Sequence, residues 1–252
     1  MKSLIKKTVA FCSAILFLFS FFTSCKQDSP PVVVPKLHAL TINFNHYFGN
    51  APLQFLTNYI TAANDTIKIK SQFEYYISNV KLTTTDGQVY APETYFLIHY
   101  DIDSQDPAAA SIQLQNIPNA NFTKLSFLIG VDSLHNHTLG QTGALDPANG
   151  MVWTWNVGYI FYRLMGSFSS ANTSFSFDLG VDENLMKYEL PASIQMDNNR
   201  TVNLKMDLKE LFQTPNVYDL KVDNKDIHST TAPGLLKLIP NSKDMMTLIS
   251  VQ

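Results

Sequence analysis

Two imidazoles two residues apart, His135 and His137, precede two indoles two residues apart, Trp153 and Trp155. Both pairs lie in residues 130–166, GVDSLHNHTLGQTGALDPANGMVWTWNVGYIFYRLMG. Neutral imidazole suits copper, zinc and iron. On a strand the two histidines would face one side; in a loop their geometry is free. The competing reading is a solvated polar loop. If residues 153–155 form a strand, both indoles share a face. Their ordinary role is core packing with the N–H satisfied, and a sugar-stacking platform is the second. Asp132 and Asp146 read as supports of this loop. Gly150 and Gly158 mark points where backbone or a ligand comes close.

Other candidates are weaker. His46 and His99 each end an apolar run, where an imidazole can be aimed out of a rigid sheet. His38 lies near the start of the folded body and receives no role. His228, beside Asp226, reads as structural. Asp101, Asp103 and Asp106 offer oxygens to calcium, but the glycine and terminal glutamate of a calcium loop are missing, which favours a solvated acidic loop. No nucleophile elbow, P-loop, HExxH or dinucleotide glycine fingerprint occurs, so the chain is expected not to be an enzyme.

The N-terminus predicts where the protein works. Lys2, Lys6 and Lys7 precede an apolar run over residues 8–22, and Thr23-Ser24-Cys25 follows. That pattern is a signal peptide over residues 1–24. Phe-Thr-Ser-Cys looks like a lipobox, which would lipidate Cys25 and anchor the chain to a membrane of the cell envelope, periplasmic or at the outer-membrane surface. Cys12 would leave with the signal, so no thiolate site or disulfide remains. Removing three lysines leaves fifteen basic against twenty-one acidic residues, a formal charge of −6. That balance argues against a nucleic-acid partner. Residues 25–36, with Ser29-Pro30-Pro31 and Pro35, form an extended tether.

Residues 37–252 then form one domain. Alternation over 37–44, 66–70, 174–179 and 201–207 gives strands. A change of phase near Ser78-Asn79 predicts a bulge or two buried faces, and Asp86-Gly87 a hairpin. Short helices are expected at 208–212 and 233–238. About ten short runs separated by turn residues predict an all-β, antiparallel, barrel-like β-sandwich with one or two short helices and a long central loop.

Three stretches together resemble one family. NFNHYFG (43–49), YYISNVKLTTTDG (75–87) and the stretch over 130–160 are similar to MbnP-like domains, in the lipoprotein branch common in Bacteroidetes. The resemblance implies an extracytoplasmic copper-binding protein that handles copper without catalysis. It implies a di-haem peroxidase-like partner that oxidises one tryptophan to kynurenine, here Trp153 or Trp155, with Trp155 favoured because it precedes Asn-x-Gly-Tyr. The modified residue and histidines would then hold copper, and His46, His135 and His137 are those inside family-like motifs. One departure stands out. Relatives of the lipoprotein branch often carry His-Ile-Gly after the aromatic strand, where this chain has Asp178-Leu179-Gly180. The missing imidazole is expected to weaken or abolish copper binding. The competing function is a surface lipoprotein that binds glycan or a protein partner through its tryptophans.

Overall fold

The structure is a computed structural model. It describes residues 36–102, 110–138, 140–156, 158–168 and 173–252, without the side chain of residue 71. The signal, Cys25 and the tether up to Pro35 lie outside these residues, as do Asp103 and Asp106 of the acidic loop.

Fourteen strands and two short helices are described. They run β1 (Leu37–Phe48), β2 (Ala51–Pro52), β3 (Tyr59–Ile60), β4 (Thr66–Thr84), β5 (Val89–Tyr90) and β6 (Tyr95–Asp101). Next come β7 (Ser111–Pro118), β8 (Asn121–Ile129), α1 (Ser133–Asn136), β9 (Ile160–Phe168), β10 (Thr173–Gly180) and β11 (Met186–Gln195). The chain closes with β12 (Arg200–Asp207), β13 (Asp226–Ile227), α2 (Leu235–Ser242) and β14 (Met246–Val251). Residues 208–212, expected as a short helix, form a 3-10 turn.

The strands build an all-β sandwich. One sheet has the order β14-β12-β1-β2, with β7 also on β1. The other has the order β11-β8-β4-β9-β10-β13, with β3, β5 and β6 also on β4. Most pairs are antiparallel, but β1 runs parallel to β12 and β10 parallel to β13. Turn residues cannot make a parallel pair adjacent; each needs a long excursion between its strands.

Strict alternation makes β1. Its even-numbered residues from His38 to Phe48 are buried and its odd-numbered residues are more exposed. The strand continues past the expected end at Phe44, so His46 faces inward instead of lying at a rim. Leu40, Ile42 and Phe44 meet Phe73, Tyr75, Phe127, Phe175 and Phe177 of the facing sheet in the main core.

Strand β4 shows why its phase changes. Asn79 has φ 52° and the pairing with β8 shifts between Ser78 and Lys81, which is the bulge. Both faces of the strand are buried as well. Tyr75 sits in the main core, whereas Tyr76 joins a second cluster with Val131, Leu145, Met151, Trp153, Tyr159, Ile160 and Phe161. The long loop after β8 thus folds back over the outer face of its own sheet. No helix among the described residues is long and apolar enough to cross a membrane.

Candidate functional site

Short polar side chains shape the loop between β8 and β9. Asp132 caps α1 by accepting from the His135 amide, and Asp146 accepts from the Ala148 amide. Short side chains of this kind satisfy backbone amides at turns and helix starts. Asn136, 1% exposed, ties three segments together. Its Oδ1 accepts from the Tyr159 amide at 2.8 Å and its Nδ2 donates to Asp182 at 2.7 Å. Gly150 (φ 79°) and Gly158 (φ 143°) adopt conformations that favour glycine. A Cβ on Gly158 would stand 3.1 Å from Asn136 Oδ1.

The structure separates the three histidines singled out from sequence. His46 is buried in the main core, its Nε2 2.8 Å from the Tyr75 hydroxyl and its ring against Phe73 and Tyr100. Burial lowers its pKa to about 3, so the ring is neutral at physiological pH. A cavity of about 200 Å³ opens beside it, lined also by Pro52, Leu53 and Ala110. His135 is engaged at both nitrogens. Nδ1 lies 2.6 Å from the Tyr95 hydroxyl and 3.2 Å from Asp132, and Nε2 lies 3.1 Å from Glu93. Burial raises the Asp132 carboxyl, but hydrogen bonds from Tyr95, Asn79 and His135 outweigh it and hold the pKa at about 2. His137 is exposed and paired with Asp182 at 3.1 Å. Among the described residues no group of three or more His, Cys, Asp or Glu could hold a metal ion.

Nor do the indoles share a strand face. Among the described residues only an isolated bridge, Val152 to Tyr159, pairs this segment, and residues 154–156 bend away. The Trp153 amide donates to the Gly158 carbonyl across the bend. Glycine and asparagine after Trp155 favour the turn over continued extension. Trp153 is therefore 5% exposed and Trp155 50%. Their rings still touch, with centroids 5.1 Å apart. The buried Trp153 Nε1 has no hydrogen-bond partner among the described residues.

Beneath Trp153 runs a row of charge that sequence reasoning largely missed. Register places His99, Glu74, Arg163 and Asp178 side by side across β6, β4, β9 and β10. Glu74 and Asp178 are 4% and 5% exposed. Arg163 Nε donates to Asp178 Oδ1 at 2.9 Å and Nη2 to Oδ2 at 3.3 Å. Its Nη1 lies 3.6 Å from Glu74, whose other oxygen is 2.6 Å from His99 Nδ1. Past the end of β13, His228 Nδ1 lies 3.0 Å from Asp178 Oδ2. The His228 ring packs edge-on to Trp153 with centroids 5.2 Å apart. Its Nε2 has no partner among the described residues, and the side chain is 48% exposed. So Asp178 bonds an imidazole brought from fifty residues away. The sequence signal was a charged residue between Phe177 and Leu179; nothing local pointed to His228.

Comparison with known proteins agrees with this architecture. A solved structure, MbnP from Methylosinus trichosporium, superposes with a TM-score of 0.56 at 14% identity, covering 86% of this chain and 98% of that one. At that identity the likeness speaks for the fold. No curated protein matches the chain. The family model MbnP matches residues 38–232, well over half of the sequence. The chain belongs to the MbnP family.

Proposed function

We propose that this protein is a lipid-anchored, extracytoplasmic copper-binding protein that takes up or hands on copper as cargo, without turnover. One observation carries the reading: His228, whose Nε2 has no partner among the described residues, packs against Trp153, whose ring in turn touches Trp155. Imidazole is a suitable copper donor, and the sequence leaves no thiolate in the mature chain to compete with it.

The donor set present is incomplete. One imidazole cannot hold copper alone, and His46, His135 and His137 stand elsewhere with partners of their own. The reading therefore needs a second donor at the indole pair. Oxidation of a tryptophan to kynurenine by a di-haem partner, as the family resemblance implies, would add an amine and a ketone there. Trp155 is the better candidate because half of it is open to a partner protein, whereas Trp153 is buried.

The test is protein purified from its own host, with metal analysis and mass spectrometry of the peptide holding Trp153 and Trp155. Stoichiometric copper with an oxidised Trp155 is expected. Absence of both, from cells that also express a di-haem oxidase, would remove the copper reading.

The exposed Trp155 also favours a second reading, a stacking platform for glycan. A glycan screen comparing the wild type with Trp155→Ala separates the two, since glycan capture would depend on the indole and not on copper.

A further inference from the structure

We propose that the Arg163–Asp178 pair is a positioning device that fixes His228 as its Nδ1–H tautomer and presents the Nε2 lone pair beside the tryptophans. The proposal deepens the copper reading and gives chemistry to the residue that replaces the expected histidine.

A carboxylate paired with a guanidinium accepts hydrogen bonds and has none to give. Asp178 Oδ1 takes the Nε–H of Arg163, and Oδ2 takes Nη2–H of Arg163 together with Nδ1 of His228. Only a proton on Nδ1 satisfies that last contact. In the neutral ring the lone pair must then be on Nε2. A ring donating its other N–H to a carboxylate is the arrangement that orients metal-binding imidazoles and raises their basicity.

Burial makes the device rigid. Asp178 is 5% exposed, and the Arg163 side chain is 18% exposed beneath the Gly150 carbonyl, to which Nη1 donates at 3.4 Å. Glu74 stands on the far side of Arg163 at 3.6 Å. The guanidinium thus lies between two buried carboxylates, and its planar fork reads both Asp178 oxygens at once. A lysine could keep the charge but not that two-point contact. The imidazole, by contrast, is half-exposed. Arg163 and Asp178 touch no cargo in this account; they act through His228.

The experiment follows the ring nitrogens of His228 directly, by two-bond proton–nitrogen correlation in the metal-free mature protein, with His228→Gln giving the assignment. In the wild type Nδ1 is expected to carry the proton and Nε2 to be bare. In Asp178→Asn, whose amide can accept or donate, both tautomers are expected. Arg163→Lys, which keeps a cation next to Asp178, should show a partial loss and serves if Asp178→Asn does not fold. A wild-type ring protonated at Nε2 overturns the proposal, and so does an unchanged tautomer in a folded variant. Competition titration with copper is the second readout. Asp178→Asn is expected to bind about 10- to 100-fold more weakly, as the loss of an orienting partner typically costs. Equal copper affinity in a folded Asp178→Asn overturns the positioning role. If the wild type itself takes up no copper, the cargo reading fails alone, and the tautomer measurement still decides this proposal.

Discussion

Gly180 lies directly beneath the Trp153 indole. A Cβ at that position would stand 2.9 Å from Trp153 Cζ2 and Nε1, and 2.6 Å from the Tyr159 carbonyl oxygen. The glycine is a seat for the ring, and its neighbour Asp178 two residues earlier holds His228 against the same ring. Gly180→Ala should therefore push Trp153 outward and cost about 1–3 kcal/mol, as overpacking does. Red-shifted tryptophan fluorescence with a lowered unfolding midpoint is the expected result. An unchanged spectrum would show that the indole is not seated there.

The two indoles should differ sharply in what they contribute to stability. Trp153→Ala empties a buried site and is expected to cost about 3–5 kcal/mol. Trp155→Ala, at a half-exposed position, should stay within about 1 kcal/mol. Because Trp153 Nε1 has no partner among the described residues, Trp153→Phe should be much milder than Trp153→Ala. Denaturant unfolding of the three variants measures the contrast.

His46 gives the fold a defined weakness to acid. Its folded pKa is about 3 because burial disfavours the cation, whereas the unfolded value is 6.5. Between those values the unfolded chain binds the extra proton, so stability falls as pH falls. The slope approaches about 1.4 kcal/mol per pH unit below pH 6.5. Above pH 6.5 this histidine contributes no pH dependence. Denaturant unfolding from pH 4 to 8 should show the slope, and His46→Gln should flatten it.

Asp132 acts lower on the scale. Its folded pKa of about 2 lies below the ordinary 3.8, because the bonds from Tyr95, Asn79 and His135 outweigh burial. The stability it contributes is present above pH 3.8 and is lost as pH falls through 2. Asp132→Asn should remove on the order of 1–2 kcal/mol at neutral pH, chiefly by loosening α1 from Tyr95 and Asn79. Hydrogen exchange at the amides of His135 and Asn136 would report it.

Much of the fold was legible because it rests on local rules. Alternation marks β1 and β12, Asp86-Gly87 marks a turn, and the phase change at Ser78-Asn79 marks both the bulge and the second buried face. The course of the Trp segment was not legible. Trp-Thr-Trp alternates like a strand, but the tertiary bridge from Val152 to Tyr159 and the turn residues after Trp155 override that pattern. The site was legible only in part. Its indoles lie in a stretch whose composition drew attention, whereas its imidazole reaches Asp178 across fifty residues and Trp153 across seventy-five. The histidines with family-like surroundings are instead engaged elsewhere, His46 in the core by Tyr75, His135 by Asp132 and Glu93, and His137 by Asp182. Spacing reports which groups share an element; it does not report which elements meet.

The most direct test of the account is copper titration of host-purified protein in single histidine variants. His228→Gln is expected to lose copper, whereas His135→Gln and His137→Gln keep it at wild-type stoichiometry. Full copper binding by His228→Gln, or its loss from either of the other two, would contradict the assignment of copper to the Trp153–Trp155–His228 cluster.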